Sequence, residues 1–133
     1  MTKRRLRLAA VATTAAMLLT PAAGTAAQAA SADQTPPTAP YIVYSQGFFC
    51  FTLYIGAQRV TDNVTPEPEL RYEVFANGQF IGLLDRGDSS NAWGDLKLTS
   101  EGPNQVYVEA VDAAGNRSRS SNTNMVTGYD CEL

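Results

Sequence analysis

The chain has 133 residues with 10 basic and 13 acidic side chains, a formal net charge of −3 and no histidine. Lys3, Arg4, Arg5 and Arg7 open the sequence; without these four, six basic residues face thirteen acidic ones, a net charge of −7. Such a chain has neither the cations to neutralise phosphates nor a polybasic patch, which argues against nucleic acid and anionic membranes as partners.

Residues 1–32 have the anatomy of an export signal: a basic start, an apolar run from about Leu8 to Leu19, then small residues. Ala27-Gln28-Ala29 and Ala30-Ser31-Ala32 offer two cleavage points, so the signal is expected to end after about Ala29 or Ala32. The apolar run of about a dozen residues is too short for a bilayer, which needs roughly 20. Arg4-Arg5 hints at the twin-arginine route with weak flanking agreement. No Cys follows the cleavage region and no second apolar span is present, so the expectation is a secreted, extracellular protein without membrane insertion. Residues 33–133 are expected to form one domain.

The next segment, Thr35-Pro36-Pro37-Thr38-Ala39-Pro40, is a Pro-rich leader of the kind that covers an edge strand without adding a ladder donor. Cys50 and Cys131 are the only cysteines. In an oxidising compartment a lone pair of cysteines reads as one disulfide, closing a loop of about 80 residues and contributing about 4 kcal/mol in the chain-entropy model. Between them the chain reads as short β runs, with no sustained 3.6-residue repeat. Phe49, Phe51, Leu53 and Ile55 alternate with Cys50, Thr52 and Tyr54, predicting a strand whose first set is buried. Leu70, Tyr72, Val74 and Ala76 alternate with Arg71, Glu73 and Phe75. Asn77-Gly78 then marks a tight hairpin needing two positive φ angles, with a return strand over Gln79–Leu84. Leu96 and Leu98, then Val106, Val108 and Ala110, mark two more strands, and Met125–Tyr129 the last. The prediction is all-β, a single seven-stranded antiparallel β-sandwich.

Four pieces in order carry a family resemblance: Pro-Pro-Thr-Ala-Pro, Thr61-Asp62-Asn63, Tyr72-Glu73-Val74-Phe75-Ala76-Asn77-Gly78 and Ala110-Val111-Asp112-Ala113-Ala114-Gly115-Asn116-Arg117-Ser118. Together they resemble the fibronectin type III domains of exported bacterial proteins, an immunoglobulin-like fold. Where that family has a Trp on its second strand this chain has Ile55, and near its corner Tyr this chain has Asn104. In the last piece Gly115 suits a left-handed turn, and Asp112 and Asn116 can hydrogen-bond their own backbone, which reads as a hairpin turn.

The resemblance implies that Cys50 and Cys131 lie at one pole, while the loops Ala57–Glu69, Asp85–Asp95 and Asp112–Arg117 converge at the other. Strand-held loop sets are common binding surfaces, so Asp62, Asn63, Arg86, Asp88, Trp93, Asp112 and Asn116 are the candidate binding residues. Asn77, Gly78 and Gly115 are structural turn residues. Many carboxylates at this pole invite a calcium reading, since hard cations want oxygen ligands, but no Asp-x-Asp-x-Asp spacing appears; no metal and no cofactor is predicted. Arg86-Gly87-Asp88 reads as a polar turn. Trp93, the single Trp, follows Ser89-Ser90-Asn91-Ala92 off the Leu96/Leu98 parity, and reads as a loop aromatic that either covers the core or contacts a ligand. The strand faces read as ordinary solvated sheet.

Without His there is no Ser-His or Cys-His pair, and no Gly-x-Ser-x-Gly appears, so no catalytic residue is assigned and the chain is not expected to be an enzyme. The expectation is a monomeric, secreted interaction module that binds an extracellular protein or glycan, such as a cell-surface polysaccharide, through the loop pole. An inhibitor of a secreted hydrolase and a carbohydrate-binding module are the alternatives.

Overall fold

The structure, a computed structural model, describes residues 32–132; the expected export signal through Ser31 lies outside the described residues. Period-two alternation shapes the chain into eight strands: β1 (Ile42–Phe48), β2 (Thr52–Gln58), β3 (Arg71–Ala76), β4 (Gln79–Leu83), β5 (Arg86–Gly87), β6 (Asn91–Lys97), β7 (Gly102–Val111) and β8 (Asn124–Gly128). One sheet runs β1-β2-β6-β5 and the other β4-β3-β7-β8, with every neighbouring pair antiparallel. The two-residue β5 forms a short edge of the first sheet, so the sandwich has one strand more than the seven expected. No helix among the described residues is long and apolar enough to cross a membrane.

The core lies between the sheets and is built from one parity of each strand. Leu53, Ile55 and Ala57 of β2 and Ala92 of β6 face Tyr72, Val74 and Ala76 of β3, Val106, Val108 and Ala110 of β7 and Val126 of β8. Burying branched side chains from both sheets supplies the main driving force, at about 25 cal/mol per Å² of apolar area. Ile55 is wholly buried where the resembled family has Trp.

The first predicted strand is divided differently. β1 and β2 form a hairpin in which Phe48 pairs with Thr52. Cys50 and Phe51, at φ 58° and 56°, make the turn between them. This reverses the chain just where Phe49 was expected to point inward. Phe49 is instead 63% exposed and packs on Tyr129 at 6.2 Å, while Phe51 still covers the core. Cys50 and Cys131 are bridged across this end, their Cα atoms 4.2 Å apart, and Phe51 N donates to Tyr129 O at 2.8 Å.

The Asn77-Gly78 turn has φ 52° and 79°, the left-handed pair that a two-residue hairpin needs. Near the start of β7, Asn104 stands where the resembled family has its corner Tyr. It is fully buried, and its amide donates to Ser100 O at 3.0 Å and Gly102 O at 2.9 Å. Its Oδ1 accepts from Asn77 Nδ2 at 2.9 Å and Ser100 Oγ at 2.8 Å. The amide thus reaches back to upstream carbonyls as the phenol of a tyrosine corner does.

Candidate functional site

The pole opposite the disulfide is made of the Pro-rich leader, the segment 59–70 between β2 and β3, the segment 84–90 around β5, and the turn 112–117 after β7. Arg59 braces two of these loops. Its backbone N donates to Ser90 O at 2.9 Å, its Nε to Asp88 O at 2.7 Å and its Nη1 to Glu67 Oε1 at 2.6 Å. The buried Tyr72 hydroxyl accepts from Val60 N at 2.9 Å, and its burial pushes the phenol pKa up from 10.0. Thr65 Oγ1 accepts from Ala113 N at 3.1 Å, tying the second loop to the turn after β7. Asn116 Nδ2 donates to Asp33 O at 2.9 Å, which ties the leader to that same turn.

Two candidate carboxylates cap loops with their own backbone. Asp62 Oδ2 accepts from Thr65 N at 2.7 Å and Val64 N at 3.0 Å, and the Thr65 N–H above all holds its pKa below the usual 3.8. Asp88 Oδ1 accepts from Ser90 N at 2.7 Å and Asn91 N at 2.9 Å, and those N–H groups, Ser90 first, lower its pKa likewise. Asp112, 2% exposed, accepts from Asn116 N at 2.8 Å and Asn116 Nδ2 at 2.7 Å, while Gly115 turns the chain at φ 92°. Asp62 and Asp112 bring carboxylate oxygens within 4.8 Å of each other, and Asn63, next to Asp62, is exposed.

Arg86 and Trp93 do not belong to this cluster. Arg86 pairs with Asp95 on the first sheet. Trp93 lies inside β6, opposite Gly56 of β2 and Arg86 of β5, and not in a loop. Its ring lies over the bare backbone of Gly56, where a Cβ would stand 2.3 Å from Trp93 Cζ3. It stacks on Tyr54 at 5.4 Å and 13°, and packs on Tyr44 at 6.3 Å. Tyr44 and Tyr54 meet edge to face at 5.8 Å. The outer face of the first sheet thus carries three aromatic rings from three adjacent strands, bordered by Gln46, Asn91, Asp95 and Lys97.

The second sheet also departs from an ordinary solvated face. Phe75 and Tyr107 stack at 5.0 Å and 8°. Arg117 lies over Phe75 at 6.0 Å and pairs with Glu73 at 2.7 Å and Glu109 at 3.2 Å. Glu73, 8% exposed, is the charge that this pairing keeps tolerable under cover. The sequence pattern placed Tyr54 and Phe75 on outward parities without showing that they stack. Stacking depends on cross-strand register: Gly56 pairs with both Tyr44 and Trp93 in the first sheet, and Phe75 pairs with Tyr107 in the second.

The strand orders define the class. β1-β2-β6-β5 follows the A-B-E-D order of an immunoglobulin-like sandwich and β3-β7-β8 the C-F-G order, with β4 added beside β3. The chain is an immunoglobulin-like β-sandwich. Among solved structures, the Clostridium perfringens spore cortex lytic enzyme SleM matches with a TM-score of 0.51 and 18% identity, over 70% of this chain and 29% of SleM. The fibronectin(III)-like modules of Clostridium thermocellum CbhA match at 0.47 and 18%, over 70% of this chain and 99% of theirs. The PKD domain of a peptidase from a Thermoplasmatales archaeon matches at 0.48 and 20%, over 71% and 97%. The chain thus spans less than a third of SleM, and the likeness is one of fold. No protein family and no curated protein matches the sequence.

Proposed function

We propose that the chain is a non-catalytic binding module of an exported protein, and that it holds an extracellular polysaccharide on the outer face of the β1-β2-β6-β5 sheet. The observation that carries this is the Tyr44-Tyr54-Trp93 cluster. Sugar rings present apolar C–H faces and hydroxyl rims, and aromatic faces beside amide, carboxylate and ammonium groups complement both. Gln46, Asn91, Asp95 and Lys97 supply those polar groups on the same outward parity, and Gly56 makes room for the indole to lie across the sheet. The loops bearing Asp62, Asn63, Asp88, Asp112 and Asn116 are cross-braced at the end of the sandwich, and the Asp88 loop, which joins β5 to β6, borders this face.

The test is sedimentation of the exported domain with insoluble cell-wall polysaccharides, alongside a pull-down of secreted proteins. Trp93→Ala is expected to weaken glycan binding about tenfold or more, because a central aromatic anchor contributes well over 1 kcal/mol. The melting temperature should stay within a few degrees. Capture of a protein that depends on Asp62 and Asp88 and not on Trp93 would replace this reading with a loop-pole docking module. Inhibition of a captured hydrolase would make the chain an inhibitor.

A further inference from the structure

Asp33, Asp62 and Asp112 come from three separate stretches: the leader, the loop after β2 and the turn after β7. One carboxylate oxygen from each lies within 4.8 Å of the others. Asp112 is buried and Asp33 and Asp62 are half-buried. Lone clusters of acidic residues are commonplace, but here the hydrogen bonding is incomplete. Asp33 Oδ1 accepts from Thr35 N at 3.0 Å, and Asp62 Oδ2 takes both N–H groups offered to that side chain. The remaining oxygens, Asp33 Oδ2 and Asp62 Oδ1, are fully buried and meet no hydrogen-bond donor among the described residues.

Two buried acceptors without donors among the described residues call for a partner that those residues do not supply, water or an ion. None of the ion pairs among the described residues involves these three carboxylates; Arg59, Arg86 and Arg117 are committed to Glu67, Asp95 and Glu73. Three converging carboxylates with no counter-charge repel one another, which a cation relieves and a neutral water does not.

We propose that Asp33, Asp62 and Asp112 together bind a divalent cation of the calcium type. All the donors are oxygens, and no imidazole or thiolate is near, which selects a hard ion over zinc or copper. Ligands drawn from three irregular segments suit the flexible coordination of calcium better than the strict octahedron of magnesium. A solvent-open depression lined by Ala32, Asp33, Gln34, Thr35, Asn63 and Val64 adjoins the site and admits the water ligands that three side chains leave room for. The bound ion would clamp the leader onto the two loops. Asp33 had no signal in the sequence, since it lies 29 residues before Asp62 and 79 before Asp112 in a Pro-rich leader.

The experiment titrates calcium chloride alone into chelator-treated, dialysed protein, by calorimetry and by thermal melting at constant ionic strength. The expected result is one site with a Kd on the order of 10⁻⁴ to 10⁻³ M, and a melting temperature several degrees higher at about 10 mM calcium. Magnesium at the same concentration should give a smaller rise. Asp33→Asn lies outside both sheets and should melt like the wild type in chelator, yet bind calcium at least tenfold more weakly; Asp62→Asn should lose binding similarly. No calcium-specific heat or melting shift up to about 10 mM would overturn the proposal. So would equal rises with calcium and magnesium, or wild-type affinity in both variants, which would place any binding on the general acidic surface.

Discussion

Asn104 shows how a single amide can replace a larger side chain. It makes four hydrogen bonds, two to upstream carbonyls and two from Asn77 and Ser100, in a wholly buried position. Asn104→Ala would take the amide partner from the half-buried Ser100 and Gly102 carbonyls and leave a small void at a fully buried position, a loss expected at roughly 1–3 kcal/mol in urea unfolding. A change below about 0.5 kcal/mol would mean that solvent replaces those bonds. Gly115 is the contrasting case. No atom lies within 4 Å of where its Cβ would be, so any cost of substitution comes from the backbone at φ 92°. Gly115→Val is expected to lose roughly 1–3 kcal/mol, and Gly115→Asn less, since Asn tolerates left-handed φ. Equal stability of all three proteins would show that the turn relaxes. The need for Gly115 was legible, because Asp-x-x-Gly-Asn is local turn chemistry. The work of Asn104 was not, because its partners sit across a corner that sequence spacing does not reveal.

Whether a strand could be recognised from the sequence depended on what lay at its ends. β3, β7 and the Asn77-Gly78 hairpin were legible because one parity is apolar throughout and the turn residues are specific. β1 and β2 were harder: Phe49, Cys50 and Phe51 look like continuous strand, yet Cys50 and Phe51 adopt positive φ, which these residues seldom do. Here two long-range ties, the bridge to Cys131 and the Phe51 N–H to Tyr129 O, hold the conformation from outside. Intact mass without reductant should therefore fall about 2 Da below the free-thiol value. Reduction should cost about 4 kcal/mol, as a loop of this length predicts; ready alkylation of both thiols in the unreduced protein would refute the bridge. Trp93 was misplaced for a related reason. Its polar neighbours look like a loop, but β6 begins at Asn91 so that the indole can lie over Gly56. Gly56→Ala would bring a methyl within 2.3 Å of the ring. Because Trp93 is the only Trp, its fluorescence should shift to longer wavelength as the stack on Tyr54 opens. An unchanged spectrum would mean that the ring is not held by the sheet.

The shifted side chains place the pH response of the folded molecule at two extremes. It has no His, the side chain whose ordinary pKa lies between pH 5 and 8, so no side chain of ordinary pKa changes charge near neutrality. On the acid side, Asp62 and Asp88 have folded pKa values below 3.8 because backbone N–H groups stabilise their ionised forms. The unfolded chain takes up those protons first as pH falls. Their contribution is therefore complete above the unfolded value, near pH 4, and is lost as pH falls through the depressed folded values. On the alkaline side, the buried Tyr72 phenol has a raised pKa, so the unfolded chain releases its proton first. That contribution is present below about pH 10 and is lost as pH rises through the folded value. Melting temperatures measured in chelator should be flat from about pH 5 to 9 and fall on both sides. Asp62→Asn should shallow the acid limb and leave the alkaline one alone. Tyr72→Phe should do the reverse, with some loss at every pH because the Val60 N–H loses its acceptor. A transition inside the flat range, or an acid limb indifferent to Asp62→Asn, would show that other groups govern the response to pH and that the Thr65 N–H does not hold Asp62 as the geometry indicates.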